Sequence, residues 1–459
     1  MKRKNKESIL IFHPAKILAF SFASAILIGA LLLMLPVSTT KESISFVDAL
    51  FTSTSAVCVT GLTVLDTGTY FTKFGQVVVL FLIQLGGLGI VTLSTFFIWF
   101  AGKKISFRGR RIVEGTFTPS PEKKFVYLLK GVIYLTFVIE GAGSLILWAR
   151  FAQIYPLWQS LYISVFHAVS AFCNAGFGLF PNNLSDYKSD ITVNLVITSL
   201  IILGGLGFYV LMELIEYFKK SRGKNSIRRL SLHTKITLTV TAFLIAGGTL
   251  CIFLFEKGNI LNGLPLKSKL LISYFQSVTP RTAGFNTVDI SMLTNSTLFL
   301  MLLLMFVGAS PGSTGGGVKT TSFGVLMALV ISKFKGSDST MCFRRTISNE
   351  TIVKVISVIV ASCLGVIIIT MALCITEEHG LSHGATKGIF LEILFEVISA
   401  FGTVGLSMGI TSNLSSAGKL LITLMMFIGR VGPLAIVVVM GQKESTTRYT
   451  YPEETLMVG

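Results

Sequence analysis

The chain has 459 residues, 52% of them hydrophobic and 13% charged, with 39 Lys and Arg against 22 Asp and Glu and a net charge of +17. A soluble domain cannot bury that much apolar surface, so the composition indicates a polytopic membrane protein. A nucleic-acid-binding protein is disfavoured, because the basic stretches lack interleaved aromatic residues and lie beside apolar segments.

The basic residues indicate how the chain is oriented in the membrane. They cluster in MKRKNK, GKKISFRGRR, KKSRGKNSIRR and KFKGSDSTMCFRR, which alternate with pairs of apolar segments. The side that these clusters define carries 27 Lys and Arg, and the other side carries about 10. By the positive-inside rule, both termini are cytoplasmic and the number of crossings is even. The first apolar segment, 17–35, is long for a signal peptide and lacks a clear cleavage site, so we interpret it as a retained helix.

In chain order, the predicted elements form one unit that occurs four times. Each unit begins with an apolar segment, at roughly 15–35, 131–149, 235–255 and 352–375. A short amphipathic helix is predicted next, in DALFTSTSAV, YISVFHAVSAF, LLISYFQSVT and LEILFEVISAF. A turn follows with a glycine before Leu or Phe, at Gly61, Gly176, Gly284 and Gly405. A second apolar segment closes the unit, at 76–101, 194–217, 297–331 and 419–440. The chain is therefore predicted to cross the membrane eight times.

A second glycine pattern keeps the same register. GGLG begins at Gly86 and at Gly204, GASPG at Gly308 and GRVG at Gly429. These positions follow the turn glycines by 25, 28, 24 and 24 residues, which supports the repeat. Close packing between membrane helices explains these patches as well as a functional role does.

The glycine turns are predicted to bind a cation through backbone oxygens. Backbone outside a helix is tolerated at membrane depth only inside protein or beside a water-filled path. Glycine permits positive φ, which can turn carbonyls toward a common axis, and the short helices point their carbonyl ends there. The turns contain no Asp or Glu, so their neutral oxygens suit a dehydrated monovalent cation. The predicted ligands are the backbone carbonyls of Val59, Thr60, Gly61, Asn174, Ala175, Gly176, Thr282, Ala283, Gly284, Thr403, Val404 and Gly405.

The third closing segment contains a glycine-rich stretch, VGASPGSTGGGVKT. As one helix, 297–331 would span about 52 Å, against a hydrocarbon core of ~30 Å. Without the stretch, the remaining residues span about 33 Å, which fits. We therefore predict that the helix is broken at 308–318 and that this loop is a gate below the turns; a passive kink in a wide cavity is the alternative. The predicted gate residues are Gly308, Ser310, Pro311, Gly312, Gly315, Gly316, Gly317, Lys319 and Arg430.

Two enzymatic interpretations of this stretch fail on context. A P-loop requires Gly directly before Lys between a strand and a helix, but Val318 separates Gly317 from Lys319. GASPG fits G-x-S-x-G with Ser310 as nucleophile, but that motif requires a strand-to-helix elbow with a partner acid and histidine. No enzymatic activity is predicted.

Arg430 lies in the middle of the apolar segment FIGRVGPLAIVVV and is a functional candidate for that reason. It lies 25 residues past Gly405, near the level of the loop, where it would raise the barrier to cations or hold the loop closed through its carbonyls. The alternative is a structural ion pair with Glu140, Glu392 or Glu396. Lys319 would act like Arg430 or extend toward the cytoplasm.

Other residues receive structural interpretations. Arg281 is predicted to brace the third turn, and Asp48 to cap the first short helix. His379 and His383 have a metal-like spacing, but they fall on an outer loop and a zinc site is not predicted. The six cysteines contain no C-x-x-C pair, so free thiols are predicted.

The motifs TSTSAVCVTGLTV, SAFCNAGFGLF, SVTPRTAGFNT and VGASPGSTGGGVKT together resemble the Trk/Ktr/HKT superfamily of potassium transporters, in particular the KtrB type of membrane subunit. Nearly the whole chain is covered. Trk relatives usually have an extra N-terminal helix pair, and the short stretch of about 14 residues before the first predicted helix favours the Ktr type. The resemblance implies that the turns form a potassium selectivity filter and that 308–318 is an intramembrane gating loop. It also implies a homodimer with one pore per subunit, regulated by a cytosolic octameric ring of KtrA-type RCK-domain subunits that bind ATP or ADP. Glycine in all four turns is typical of the potassium-selective branch.

We therefore predict an all-α multi-pass membrane protein in which four pseudo-repeated helix–pore loop–helix units surround one central ion pore. The units are 1–101, 102–218, 219–332 with the loop, and 333–459 with a cytosolic tail. The predicted function is potassium uptake across a bacterial inner membrane, with no cofactor in this chain and Na⁺ as a candidate activator. The alternatives are a sodium-selective or sodium-coupled relative, and a secondary transporter, which would be expected to have inverted repeats.

Overall fold

The computed structural model describes residues 14–40, 43–89, 122–221, 230–378, 386 and 388–432. Throughout these residues the chain is mostly helical, which confirms the predicted class. The strands in this part of the chain are β1 (Met341–Cys342) and β2 (Arg345–Thr346), which form an antiparallel hairpin. His379 and His383 lie outside the described residues.

The helices form four successive groups, each with a first helix, a short second helix and a further helix after a loop. The first two groups comprise α1 (Pro14–Leu33), α2 (Phe46–Val57), α3 (Thr67–Tyr70), α4 (Lys73–Leu88), α5 (Glu122–Phe151), α6 (Leu157–Phe172), α7 (Ile191–Leu206) and α8 (Phe208–Ser221). The last two comprise α9 (Leu232–Phe255), α10 (Leu266–Val278), α11 (Asn295–Phe306), α12 (Thr320–Phe334), α13 (Asn349–Glu378), α14 (Ile389–Gly402) and α15 (Ser416–Val431).

Among the described residues, three helices are long and apolar enough to cross a membrane: Lys130–Phe151, Leu232–Phe255 and Asn349–Glu378. The bent pair formed by α7 and α8 makes a fourth when it is counted as one span. The other apolar helices are shorter, and two of the predicted closing segments continue beyond the described residues. The expected number of eight crossings therefore stays a prediction.

Helix α2 begins differently from the prediction for Asp48. The N-cap is Ser45, whose hydroxyl accepts a hydrogen bond from the backbone N–H of Asp48 at 3.1 Å and also contacts its carboxylate at 2.7 Å. Asp48 is thus the third helical residue, where a carboxylate can bond back to the cap. Its other oxygen forms an ion pair with Lys419 at 2.8 Å, which joins α2 to α15. The prediction that Asp48 is the N-cap was wrong.

In the last three groups, the end of the long first helix is tied to the start of the helix that closes the group. Glu256 follows α9 and accepts hydrogen bonds from the backbone N–H and the hydroxyl of Thr294, the N-cap of α11. Glu377 in α13 accepts the same pair of bonds from Ser415, the N-cap of α15. In the second group, Arg150 of α5 pairs at 2.6 Å with Asp190, the N-cap of α7. These ties satisfy helix N-termini and fix the hairpin of each of these groups.

The closing helices end at the second glycine pattern. Helix α4 is followed by Gly89, α7 by Gly207 and α15 by Gly432, with φ of +79°, +88° and +92°. At Gly207 the chain turns by 99° into α8. The predicted single segment 194–217 was therefore wrong, because positive φ at glycine ends the helix although the hydrophobic pattern continues through it. The predicted break in the third group is present, between the end of α11 at Phe306 and the start of α12 at Thr320.

Candidate functional site

Each of the four loops after a short helix has two residues with left-handed backbone, separated by one residue. The first is Val59, Asn174, Thr282 or Thr403, with φ of 58°, 61°, 69° and 49°, and the second is Gly61, Gly176, Gly284 or Gly405, with φ of 93°, 70°, 74° and 90°. Positive φ is strained for residues other than glycine, above all for β-branched ones such as valine and threonine. Four loops that share this strain at the same position are held by the structure around them.

The four turn glycines form a closed ring. A Cβ added to Gly61 would lie less than 3.0 Å from the carbonyl oxygen of Ala175, the residue before Gly176. The same close approach relates Gly176 to Ala283, Gly284 to Val404 and Gly405 to Thr60, all at less than 3.0 Å. The contacts thus run from each loop to the next and return from the fourth to the first. The loops therefore surround one point, and glycine is required at each because a side chain would strike a backbone oxygen.

Hydroxyl side chains from the short helices hold these loops. Ser55 and Ser399 accept hydrogen bonds from the N–H groups of Gly61 and Gly405, at 3.0 and 3.1 Å. In the second and third loops the hydroxyl donates instead: Ser170 to the carbonyl of Phe177 at 2.7 Å, and Thr279 to the carbonyl of Phe285. These residues are not among those predicted from the sequence, although a hydroxyl residue stands six positions before the glycine in the first, second and fourth loops and five positions before it in the third loop.

A cavity of about 590 Å³ opens on one side of the ring. It is lined by the four turn glycines and by the segments that follow them. Among the described residues that line it, the charged ones are Asp66 and Asp289. Each carboxylate accepts a backbone hydrogen bond, from Thr69 at 2.8 Å and from Ser291 at 3.0 Å. This vestibule is therefore negative and attracts cations toward the ring.

Residues 307–319 form a loop on the opposite side of the ring. Its central glycines lie against the first residues of two turns: Gly316 donates its N–H to the hydroxyl of Thr403 at 2.9 Å, and a Cβ on Gly315 would strike the hydroxyl of Thr282. Thr282 is itself bonded to the side chain of Asn174 at 3.0 Å. The loop thus packs directly under the ring, which is not the geometry of a kink in a wide cavity.

The end of α7 anchors the loop. Ser310 donates its N–H to the carbonyl of Gly205 at 3.0 Å, and its hydroxyl bonds to the carbonyls of Gly205 and Leu206. The N–H of Thr314 reaches the carbonyl of Gly204 at 3.3 Å. On the other flank, the N–H of Phe208 donates to the carbonyl of Gly312 at 3.1 Å, and Gly207 lies against Pro311. The bend at Gly207 therefore leaves carbonyls free to hold the loop.

Two basic side chains, those of Arg430 and Lys319, bind the loop. Arg430 donates from one terminal nitrogen to the carbonyl of Thr314 in the loop and from the other to the carbonyl of Gly86 at the end of α4. In the described part of the chain no ion pair includes Arg430, so the alternative of a pair with Glu140, Glu392 or Glu396 is not what the structure has. Lys319 turns back and donates to the carbonyl of Gly315 at 2.8 Å. Both side chains bind carbonyls of the loop. This is the contact required if Arg430 holds the loop closed through its carbonyls.

The glycines of the second pattern pack the closing helices against the ends of the short helices. A Cβ at Gly86, Gly204 or Gly429 would strike the carbonyl oxygen of Val57, Phe172 or Phe401, respectively. The helix-packing interpretation of these patches therefore holds for three of the four groups. In addition, the carbonyls of Gly86 and Gly204 bind Arg430 and the loop, so the same patches serve both predicted purposes.

Arg281 is buried beside the third turn and donates to the hydroxyl of Thr241 in α9 at 3.2 Å. This contact ties the third turn to the first helix of its group. The cysteines among the described residues are all free, in agreement with the prediction.

The sequence matches the family described as TrkH, cation transport protein, over residues 3–448. It is 44% identical to the Ktr system potassium uptake protein B of Bacillus subtilis (strain 168), covering 98% of this chain and 97% of that protein. It is 37% identical to the potassium/sodium uptake protein NtpJ of Enterococcus hirae, covering 100% of this chain and 99% of that protein. The crystal structure of the potassium transporter TrkH from Vibrio parahaemolyticus has the same fold, with a TM-score of 0.75 at 18% identity over 96% of this chain and 87% of that one.

Proposed function

Because this chain belongs to the TrkH family of cation transport proteins and is a potassium uptake protein of the membrane, we propose that potassium crosses the bilayer through the ring of glycine turns. The observation that supports this route is the closed ring, in which each turn glycine lies against the carbonyl of the next loop. The backbone oxygens of 59–61, 174–176, 282–284 and 403–405 are then the ligands. The division into units at 1–101, 102–218, 219–332 and 333–459 is part of this proposal.

The ring has the chemistry that a dehydrated potassium ion needs. Backbone carbonyls replace the hydration shell without a fixed charge that would hold the ion too tightly. The four short helices end at the ring, and the negative ends of their dipoles favour a cation there. The vestibule with Asp66 and Asp289 supplies cations from the other side of the membrane, and the ion moves inward down its electrochemical gradient.

The loop 307–319, which contains the predicted gate 308–318, closes the path below the ring. Gly315 and Gly316 contact Thr282 and Thr403, so an ion that leaves the ring meets the loop first. Arg430 places a positive charge at the same level and holds the loop through Thr314. Opening requires the loop to leave these partners, and its glycines allow that movement.

The protein is a component of a larger system, because its Ktr relatives are named as parts of one. In our proposal the partner is a cytosolic octameric RCK-domain ring of the KtrA type that binds ATP or ADP and moves the gate. The chain forms a homodimer in the bacterial inner membrane, with both termini in the cytoplasm, where most of its Lys and Arg lie. Na⁺ is an activator in this scheme.

Sodium transport is a second candidate function, because one relative is named as a potassium/sodium uptake protein. The glycines at all four turn positions favour potassium as the main ion. The two functions are distinguished by measuring whether external Na⁺ inhibits Rb⁺ uptake. If the ring is selective for potassium, external Na⁺ should not compete.

The direct test is growth of a potassium-uptake-deficient bacterium at low potassium, with this chain expressed with and without an RCK partner. We expect rescue with the partner and its loss when Gly284 is replaced by Ala, since a Cβ there meets the carbonyl of Val404. Rescue by Gly284→Ala at the wild-type rate would contradict the proposed route. Gly247→Ala is the matched control, because that glycine has open space around it.

A further inference from the structure

The last turns of the short helices share a pattern of buried residues. Each contains a fully buried phenylalanine, then a polar residue, and three residues later a Ser or Thr. The polar residues are Thr52, His167, Gln276 and Glu396, all at most 1% exposed. Buried polar groups at one position of four helices require an explanation, because each costs free energy unless it is bonded.

Three of these residues reach the segment that leaves the ring. The Nε2 atom of His167 accepts the N–H of Leu179 at 3.4 Å, and Nε2 of Gln276 donates to the hydroxyl of Thr287 at 3.4 Å. The Oε1 atom of Glu396 accepts from the hydroxyl of Thr411. Each bond joins a short helix to the chain on the far side of its glycine.

Glu396 makes the most demanding of these contacts, because its carboxyl group is fully buried. Its Oε2 atom has no hydrogen-bond partner within the described residues, and no ion pair there includes it. An unpaired carboxylate is costly in such a place, so burial favours the neutral acid. Among the described residues, its carboxyl group accepts from the hydroxyl of Thr411, which also bonds to the hydroxyl of Ser407 at 2.9 Å.

We propose that Glu396, in its neutral form, is a positioning residue for potassium selectivity that holds the outer limb of the fourth turn, 405–411, through Thr411. The inference rests on the proposed function of the ring. Ser399 fixes the inner side of the same turn by bonding to the N–H of Gly405. With both limbs fixed, the carbonyl of Val404 cannot approach a smaller ion, and Na⁺ is left with poorer coordination than K⁺.

The test is the preference for Rb⁺ over Na⁺ in uptake by proteoliposomes that contain the full chain. Thr411→Val removes the hydroxyl, and Glu396→Ala removes the acceptor; each should lower the preference roughly tenfold, the scale of one buried hydrogen bond. Glu396→Gln and Thr411→Ser keep the bond and should remain within about twofold of wild type. Thr423→Val is the matched control, because that hydroxyl bonds only within its own helix, to Lys419.

Two results would overturn the inference: wild-type preference in a monodisperse Thr411→Val protein, or a loss in Glu396→Gln equal to that in Glu396→Ala. Thr411→Val decides the question if Glu396→Ala fails to fold. Gly405→Ser is measured in parallel. If Gly405→Ser leaves the preference unchanged, the ring itself is not the filter. If Gly405→Ser lowers it and Thr411→Val does not, only the role of Glu396 is wrong.

Discussion

Gly405 packs against the carbonyl oxygen of Thr60, so closely that a Cβ at Gly405 would lie less than 3.0 Å from that oxygen. This contact joins the fourth loop to the first and closes the ring across almost the whole length of the chain. Local sequence preference does not produce it. The packing of the four helical groups produces it.

Gly405→Ala should reduce potassium uptake at least about tenfold. The new methyl group meets the backbone oxygen of Thr60, and alanine is strained at φ +90°. The measurement is the initial rate of Rb⁺ uptake per folded protein in proteoliposomes. Gly365→Ala in α13, where no atom lies within 4 Å of the added Cβ, is the control and should keep the wild-type rate. Equal rates for the two variants would show that the ring tolerates a side chain.

Arg430→Gln should raise uptake in the absence of the cytosolic partner, roughly tenfold. The change weakens two charge-assisted hydrogen bonds, to Thr314 in the loop and to Gly86 in α4, and removes a positive charge below the ring. Basal Rb⁺ flux without partner protein is the measurement. Arg150→Gln, which loses an ion pair with Asp190 away from the loop, controls for general destabilisation. A lower basal flux in Arg430→Gln would contradict a gating role.

Ser310→Ala should also loosen the loop, with a basal flux about fivefold above wild type, because the hydroxyl that binds the end of α7 is lost. The neighbouring Ser313→Ala is a close control. Its hydroxyl bonds to the carbonyl of Ser310 within the same loop, at 2.6 Å, and does not tie the loop to another helix. Equal effects of the two substitutions would mean that anchoring to α7 does not hold the gate.

Lys419→Met should lower the free energy of unfolding by about 1 kcal/mol, because Lys419 pairs with Asp48 between α15 and α2 and both side chains are mostly buried. The measurement is the thermal midpoint in detergent at low and at high salt, and the loss should shrink at high salt. Lys354→Met breaks an exposed pair with Glu350 on the surface of α13 and should leave the midpoint unchanged. An equal fall in both variants would rule out a specific role for the first pair.

The repeated order of helices, the grouping of the four turn glycines and the break between Phe306 and Thr320 could be predicted from the sequence. The spacing of the glycines predicts the order of the helices and the grouping of the turns. The break is predicted because an unbroken helix would be longer than the membrane is thick. The bend at Gly207 could not be predicted in this way, because the apolar run continues without interruption from Leu203 through Gly207 to Met212. The left-handed backbone at Val59 and Thr403 could not either, since local preference opposes it and only the closed ring imposes it.

The hydrogen-bond partners of polar side chains were harder to predict than the places of these side chains in the fold. The sequence predicts that Arg430 lies near the loop, but it does not decide whether the guanidinium binds loop carbonyls or a glutamate. The helices that end at Leu88 and Leu206 leave backbone oxygens without helical partners at that level, and this cannot be seen in the sequence. Asp48 and Ser45 are both residue types that cap helices, and the sequence pattern alone does not decide which of them is the N-cap. The polar residues behind the ring are hard to recognise in the sequence because each is a different residue type, and only the phenylalanine before them and the Ser or Thr three residues after them recur.

The central claim is that a bare potassium ion sits among the four turns. Anomalous scattering from Tl⁺ or Rb⁺ soaked into crystals of the full chain measures this directly. The account predicts a peak on the ring axis, bounded by the carbonyls of Thr60, Ala175, Ala283 and Val404. Heavy-ion peaks found only elsewhere in the protein, with this position empty at saturating Tl⁺, would contradict it.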